Sequence, residues 1–212
     1  HALAIVERLL LDMQIEKDYW LGAYEPELQD AIGRHIRPGM VVYDVGANVG
    51  YTSLMLARAV GESGRVLAFE PLPANAERIR RNAALNPEGS RVELHEVAVS
   101  NGPGTVHFRV HTSNAMGRME TVEGRTEGYG ESIEVATAGL DELVFERGLP
   151  APDVIKMDIE GGEVLVGDED DRTGRGEAGD DLGLEVIRKG RNLMENPVDP
   201  VPDHQEVLLG SK

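Results

Sequence analysis

Three acidic residues, Asp44, Glu70 and Asp158, each stand at the end of an apolar run, and Glu160 follows the last of them by two positions. A carboxylate at such a place can accept hydrogen bonds from hydroxyl or amino groups, or take a proton in general base catalysis. Asp158 and Glu160 would project to the same side of a strand, with Ile159 on the other. A pair of that kind can raise one carboxyl pKa or hold Mg2+. Lys156, two residues before Asp158, is a further candidate for chemistry or for an ion pair with a neighbouring acid. Asp44 directly precedes a glycine-bearing turn, Gly46-Ala47-Asn48-Val49-Gly50. Glycine reaches backbone angles closed to other residues and lets a ligand approach the main chain.

A turn of this type between an apolar run and a helix is the usual cradle for a nucleotide-like ligand at the carboxyl edge of a parallel sheet. Glu70 lies 24 residues after Gly46, where an acid at the end of the adjacent strand can chelate ribose hydroxyls. A dinucleotide site would favour a middle glycine, and Asn48 stands there instead. Asp44 would repel a pyrophosphate but suits a cationic sulfonium–amino-acid ligand. No Tyr-x-x-x-Lys or histidine arrangement for hydride chemistry is visible.

These residues need elements to position them. Pro26 to Ile36 has apolar residues at helical spacing, as does Ala2 to Leu11. Met40 to Val45, Arg65 to Glu70, Arg91 to Val99 and Val154 to Ile159 read as strands, and Thr52 to Val60 and Pro71 to Asn86 as helices. Unalternating apolar strands joined by helices predict a parallel sheet covered on both faces. Gly104 to Val110 and Glu131 to Thr137 alternate instead, which predicts an inserted antiparallel pair. Leu140 to Arg147 reads as a short helix, and Leu184 to Ile187 and Glu206 to Leu209 as closing strands. Asp168 to Asp181 carries seven acids and two arginines with almost nothing apolar, and reads as a solvated loop or insert.

Composition bounds the function. The 212 residues suffice for one domain with a sizeable core. The chain has no cysteine, which excludes disulfides, thiolate metal sites and cysteine nucleophiles. The histidines are scattered, without metal-ligand spacing. No run approaches the roughly 20 apolar residues of a membrane span. The net charge of −17 argues against non-specific nucleic-acid binding. A soluble cytoplasmic protein is the expectation.

Four blocks together, DVGANVGYTSLMLA, GRVLAFEPLPANAERIRRNAALN, VELHEVAVSNGPGTVHF and DVIKMDIEGGE, resemble the FkbM-type S-adenosylmethionine-dependent methyltransferases. The resemblance runs from about Glu25 to Val166. It implies an α/β, Rossmann-like class I methyltransferase fold and O-methylation of a hydroxyl on a small molecule such as a natural product or sugar-like metabolite. Asp44, Gly46, Ala47, Asn48 and Gly50 would then hold the methionine part of S-adenosylmethionine. Glu70 would bind the ribose, Pro71 and Leu72 would line the adenosine, and Ala98 would sit near adenine. Asp158 would face the methyl group as the candidate base, with Glu160 the alternate and Lys156 and Glu163 nearby. Mg2+ is compatible with the strand-end acids but is not expected.

The expected organisation is a single domain: N-terminal helices over 1–38, a cofactor core over 39–166, the acidic stretch over 167–183 and closing strands over 184–212. After Glu163 the chain departs from the family pattern. A helix and a central strand are not recognisable there, and a homodimer is one way to cover the sheet edge this would leave. Three other readings stand beside the small-molecule enzyme. They are a cofactor-binding module without turnover, an RNA methyltransferase and, more distantly, a nicotinamide dehydrogenase.

Overall fold

A computed structural model describes residues 8–11, 19, 26–111, 117–119, 129–158 and 184–185. Its centre is a five-stranded sheet of β1 (Val41–Val45), β2 (Arg65–Phe69), β3 (Val92–His95), β8 (Val154–Met157) and β9 (Leu184–Glu185), in the order β3-β2-β1-β8-β9. The first four strands run parallel, and β9 pairs antiparallel with β8. The strand order reverses at β1, which has β2 on one side and β8 on the other. In an open α/β sheet this switch point leaves a crevice outside the carboxyl ends of the strands. Asp44 and Lys156 are direct neighbours across it.

Strand alternation sorts the core. Val42, Val66 and Val154 face helices α1 (Pro26–His35) and α2 (Tyr51–Ala59), burying Ile32, Leu56 and Val60 completely. Each such aliphatic side chain contributes about 1.5–3 kcal/mol. Helix α3 (Pro73–Ala84) covers Ala47 and Ala68 with Ile79. On the opposite face, Tyr43, Val45, Leu67, Phe69 and Ile155 meet Val97, Val99, Ala138, Leu140 and Leu143. Leu143 belongs to a wide helical turn over Glu142–Glu146, where the Arg147 N–H bonds to the Glu142 carbonyl at 2.9 Å.

The inserted antiparallel pair is present as β5 (Gly104–His111) and β7 (Tyr129–Gly139). It belongs to a larger sheet, in which β6 (Gly117–Met119) pairs with β5 and β4 (Ala98–Ser100) pairs parallel with β7. The single strand expected over Arg91 to Val99 is therefore two strands in two sheets. Between them the Val97 N–H bonds back to the His95 carbonyl at 3.0 Å, a tight reversal. The residues record the break as a phase slip, from Val92 and Leu94 to Val97 and Val99.

The helix expected over Ala2 to Leu11 is not found where the chain is described: Arg8–Leu11 lies non-helical beside α3. Asparagine side chains hold it there. Asn82 Oδ1 accepts from the Leu10 N–H at 2.7 Å, and Asn86 Oδ1 accepts from the Arg8 N–H at 3.2 Å. Asn86 Nδ2 donates to the Arg8 carbonyl at 2.7 Å, and the Arg78 guanidinium donates to the Leu10 carbonyl at 2.8 Å. These bonds occupy backbone groups that a helix would have used itself. Asn82, fully buried, also donates from Nδ2 to the Val49 carbonyl at 2.8 Å. Asn82→Ala should cost about 2–4 kcal/mol, because it leaves the Val49 carbonyl and the Leu10 N–H without a partner. Urea unfolding of the two proteins measures this, and a loss under about 0.5 kcal/mol would contradict it.

Among the described residues no helix is long and apolar enough to cross a membrane.

Candidate active site

The turn after β1 is built from left-handed residues: Gly46 at φ 75°, Asn48 at φ 52° and Gly50 at φ 85°. A non-glycine residue there costs about 1 kcal/mol or more, so Asn48 needs support from its surroundings. The support is a set of hydrogen bonds to β2. The Gly46 and Ala47 N–H groups both donate to the Phe69 carbonyl, at 3.0 and 3.1 Å. The Asn48 N–H donates to Glu70 Oε2 at 2.9 Å. Gly50 then opens α2, with its own N–H donating to the Ala47 carbonyl at 2.8 Å.

Glu70 follows the last residue of β2 and is 5% exposed. Its Oε1 accepts from the Leu72 N–H at 3.0 Å and from Asn75 Nδ2 at 3.4 Å. The carboxylate thus ties the glycine turn to the N-terminus of α3. Burial raises its pKa from 4.5 to about 7, against the opposing pull of the Leu72, Asn48 and Asn75 hydrogen bonds and the Lys156 charge. Pro71 is half-buried and Leu72 buried.

Asp44 is fully buried at the carboxyl end of β1. Its Oδ2 accepts from Ser53 Oγ of α2 at 2.5 Å, and its Oδ1 lies 3.0 Å from Lys156 Nζ. Lys156 is 3% exposed. Its Nζ also donates to the Gly46 carbonyl at 3.1 Å and comes within 3.9 Å of Asp158 Oδ2. Asp158 is the open member of the group, with a side chain 38% exposed, and its N–H donates to the Val45 carbonyl at 3.0 Å.

Asp44, Gly46, Ala47, Asn48, Gly50, Glu70, Lys156 and Asp158 are therefore gathered at one sheet edge, joined through the bonds just given. Ala98 begins β4 in the second sheet, buried two residues after the reversal at His95 to Val97. Glu160 and Glu163 lie outside the described residues. Among the described residues no group of three His, Cys, Asp or Glu side chains could hold a metal ion.

Sequence reasoning missed Ser53 and Asn75. Ser53 sits in an apolar helix where a hydroxyl turned inward needs a polar partner, and Asp44 is that partner. Asn75 is 2% exposed and stands five residues after Glu70 in the FEPLPAN block. Three buried acceptors in this region, Asp44 Oδ1, Asn48 Oδ1 and Asn75 Oδ1, have no hydrogen bond among the described residues, the first of them lying 3.0 Å from Lys156 Nζ as an ion pair. The Gly46, Ala47, Asn48 and Gly50 N–H groups of the turn are engaged within the protein. This donor and acceptor balance fits a ligand that brings its own hydroxyl, amino and cationic groups.

A parallel sheet with its switch point at β1, a glycine turn and an acid at the next strand end define the Rossmann-like class of nucleotide-cofactor domains, in the form used by methyltransferases. Comparison with known proteins places the chain within that class. The family model described as "Methyltransferase FkbM domain" matches residues 44–173, more than half of the chain. The chain belongs to the FkbM methyltransferase family.

Among its relatives is 31-O-demethyl-FK506 methyltransferase FkbM of Streptomyces tacrolimicus, 31% identical over 166 residues, covering 65% of this chain and 63% of the relative. Hexuronic acid methyltransferase AglP of Haloferax volcanii is 32% identical over 126 residues, covering 59% of this chain and 48% of its own. The 2-O-methyltransferase NoeI of Sinorhizobium fredii is 28% identical over 177 residues, covering 74% and 70%. The chain thus spans about half to two thirds of the length of the first two relatives. A solved structure of an FkbM methyltransferase from Methylobacillus flagellatus aligns with a TM-score of 0.40 at 19% identity, over 75% of this chain and 40% of that one.

Proposed function

We propose that this chain is an S-adenosylmethionine-dependent O-methyltransferase domain acting on a hydroxyl of a small molecule. The observation that carries the reading is the convergence of Asp44, Glu70 and Asp158 at the switch point, around a turn in which the Gly46, Ala47, Asn48 and Gly50 N–H groups are already engaged. That pattern favours a hydrogen-donating nucleoside ligand over a pyrophosphate. The relatives named as methyltransferases of 31-O-demethyl-FK506 and of a hexuronic acid support a hydroxyl-bearing small molecule as acceptor.

The residues divide the work as follows. The turn Gly46, Ala47, Asn48 and Gly50, backed by Asp44, surrounds the methionine part. Glu70 accepts from the ribose hydroxyls, Pro71 and Leu72 border the adenosine, and Ala98 borders adenine. Bound there, S-adenosylmethionine supplies an electrophilic sulfonium methyl group. Asp158, the exposed acid of the edge, accepts the hydroxyl proton of the acceptor as its oxygen attacks, and Glu160 is the alternate base. Holding the oxygen in line with the reacting carbon provides the rest of the acceleration.

Calorimetric titration with S-adenosylhomocysteine tests the site. The wild type should bind in the micromolar range, and Asp44→Ala should bind roughly tenfold or more weakly, about 1.4 kcal/mol. NAD should give no comparable heat. Wild-type affinity for NAD but not for S-adenosylhomocysteine would refute the reading.

The titration should also depend on pH. Glu70 in its carboxylate form accepts from ribose hydroxyls, whereas the protonated form loses part of that capacity. With its pKa at about 7, affinity should rise as pH increases through that value and level off above it. Binding at pH 6 should be roughly tenfold weaker than at pH 8, with proton uptake or release visible in buffers of different ionisation enthalpy. A flat profile from pH 6 to 8 would remove Glu70 from the ribose site.

A further inference from the structure

Lys156 occupies a place that its sequence position does not announce. It is the cation at the switch point, on the strand next to Asp44, yet it is almost wholly enclosed. Its ammonium meets the Asp44 carboxylate at 3.0 Å, the Gly46 carbonyl at 3.1 Å and the Asp158 carboxylate at 3.9 Å. Ser53 Oγ, at 2.5 Å, holds the other oxygen of Asp44. These contacts hold the ammonium inside the sheet edge, with only 3% of the residue exposed.

From this we infer that Lys156 is a positioning residue rather than a catalytic one. Together with Asp44 and Ser53 it forms a buried brace that fixes the glycine turn against the end of β8. The inference rests on the proposed cofactor site and says how that site is held in shape. Gly46 is the first left-handed residue of the turn, and its N–H is fixed by Phe69. Its carbonyl is fixed by Lys156, so the peptide on either side has one orientation. Asp44 supplies the countercharge that makes a buried ammonium tolerable, and Ser53 orients that carboxylate from α2. The brace joins β1, α2 and β8 at the point where the methionine part would lie. It also changes the role of Asp44. Its charge is met by the enclosed Lys156 ammonium, so Asp44 acts on the ligand through the turn and not by direct charge.

The test is calorimetric binding of S-adenosylhomocysteine at a temperature where circular dichroism shows each variant folded. Asp44→Asn keeps an acceptor for Ser53 and leaves the ammonium on Gly46, and is the reference against which the combined variant is read. Lys156→Met should bind tenfold or more weakly. Because that variant leaves Asp44 buried without its countercharge, Asp44→Asn combined with Lys156→Met provides a neutral pair that folds. The combined variant should have a melting temperature near that of wild type and still bind tenfold or more weakly than Asp44→Asn alone. A combined variant that binds as tightly as Asp44→Asn would overturn the brace. So would a Lys156→Met protein that keeps its affinity and loses only methyl transfer. Failure of the wild type to bind, by contrast, would bring down the cofactor reading itself, whereas weakened binding in Glu70→Ala with unaffected Lys156 variants would leave that reading standing and remove only the brace.

Discussion

Glu70→Ala is expected to weaken S-adenosylhomocysteine binding on the order of a hundredfold, the largest functional loss of any single replacement at this sheet edge. The carboxylate offers two acceptor oxygens, and a hydrogen bond to a charged acceptor contributes about 1.5–3 kcal/mol. Losing the two proposed ribose contacts would therefore remove about 3 kcal/mol or more, which is a hundredfold in Kd. The same replacement acts on the free protein in two opposing ways. It strips partners from the Asn48 and Leu72 N–H groups and from the Asn75 amide, each a buried donor costing about 1–3 kcal/mol when unpaired. It also removes a carboxyl whose ionisation is disfavoured by burial.

The sign of that second effect follows from the raised pKa. Between pH 4.5 and about 7 the folded protein binds a proton at Glu70 that the unfolded chain has released. Stability from this group is therefore greatest at low pH and declines as pH rises toward 7. In Glu70→Ala that decline should vanish, so urea unfolding at pH 5 and pH 8 should show the variant losing less stability with pH than the wild type. Binding within threefold of wild type would rule out Glu70 as the ribose acceptor. An unchanged pH slope would rule out its raised pKa.

Gly89→Ala is expected to be the most damaging replacement outside the site, destabilising by about 3 kcal/mol or more. Gly89 lies in a 3-10 turn over Pro87–Arg91, packed directly beneath the end of α3. A Cβ at this position would fall 2.0 Å from the Ala83 carbonyl oxygen and 2.6 Å from Ala83 Cα. These are backbone atoms, so no rotamer change relieves the overlap. The last turn of α3 would have to move, and that turn carries Asn82 and Asn86, which hold Arg8 and Leu10. Thermal melting is the direct measurement. A melting temperature within about two degrees of wild type would show that the turn yields without the helix moving.

The chemistry-bearing edge was legible because it depends on short-range pattern. Apolar runs ending in Asp44, Glu70 and Asp158 predict strands with acids at their ends, and the GANVG turn predicts a strand-to-helix junction. Both are present. What could not be read was the internal wiring. An asparagine in an amphipathic helix looks like a surface residue, so nothing marked Asn82 as the buried link between Leu10 and Val49. A lysine two residues from a candidate base gives no sign in the sequence that it is almost wholly enclosed. The division of Arg91 to Val99 was visible in principle, since the apolar phase slips at Glu96, but β-propensity on both sides concealed it. Arg8–Leu11 had helical periodicity, and tertiary hydrogen bonds to asparagine side chains prevailed over it.

The single amide of Asn82 also sets a rule for recombining this domain with its relatives. Its oxygen serves the N-terminal segment and its nitrogen serves the glycine turn, so the two stretches form one unit of exchange although 39 positions separate Leu10 from Val49. A chimera with a crossover between them would inherit a segment and a helix selected apart from each other, and would place the mismatch next to the glycine turn. Crossovers after β3, where the chain passes into the second sheet, leave that unit whole.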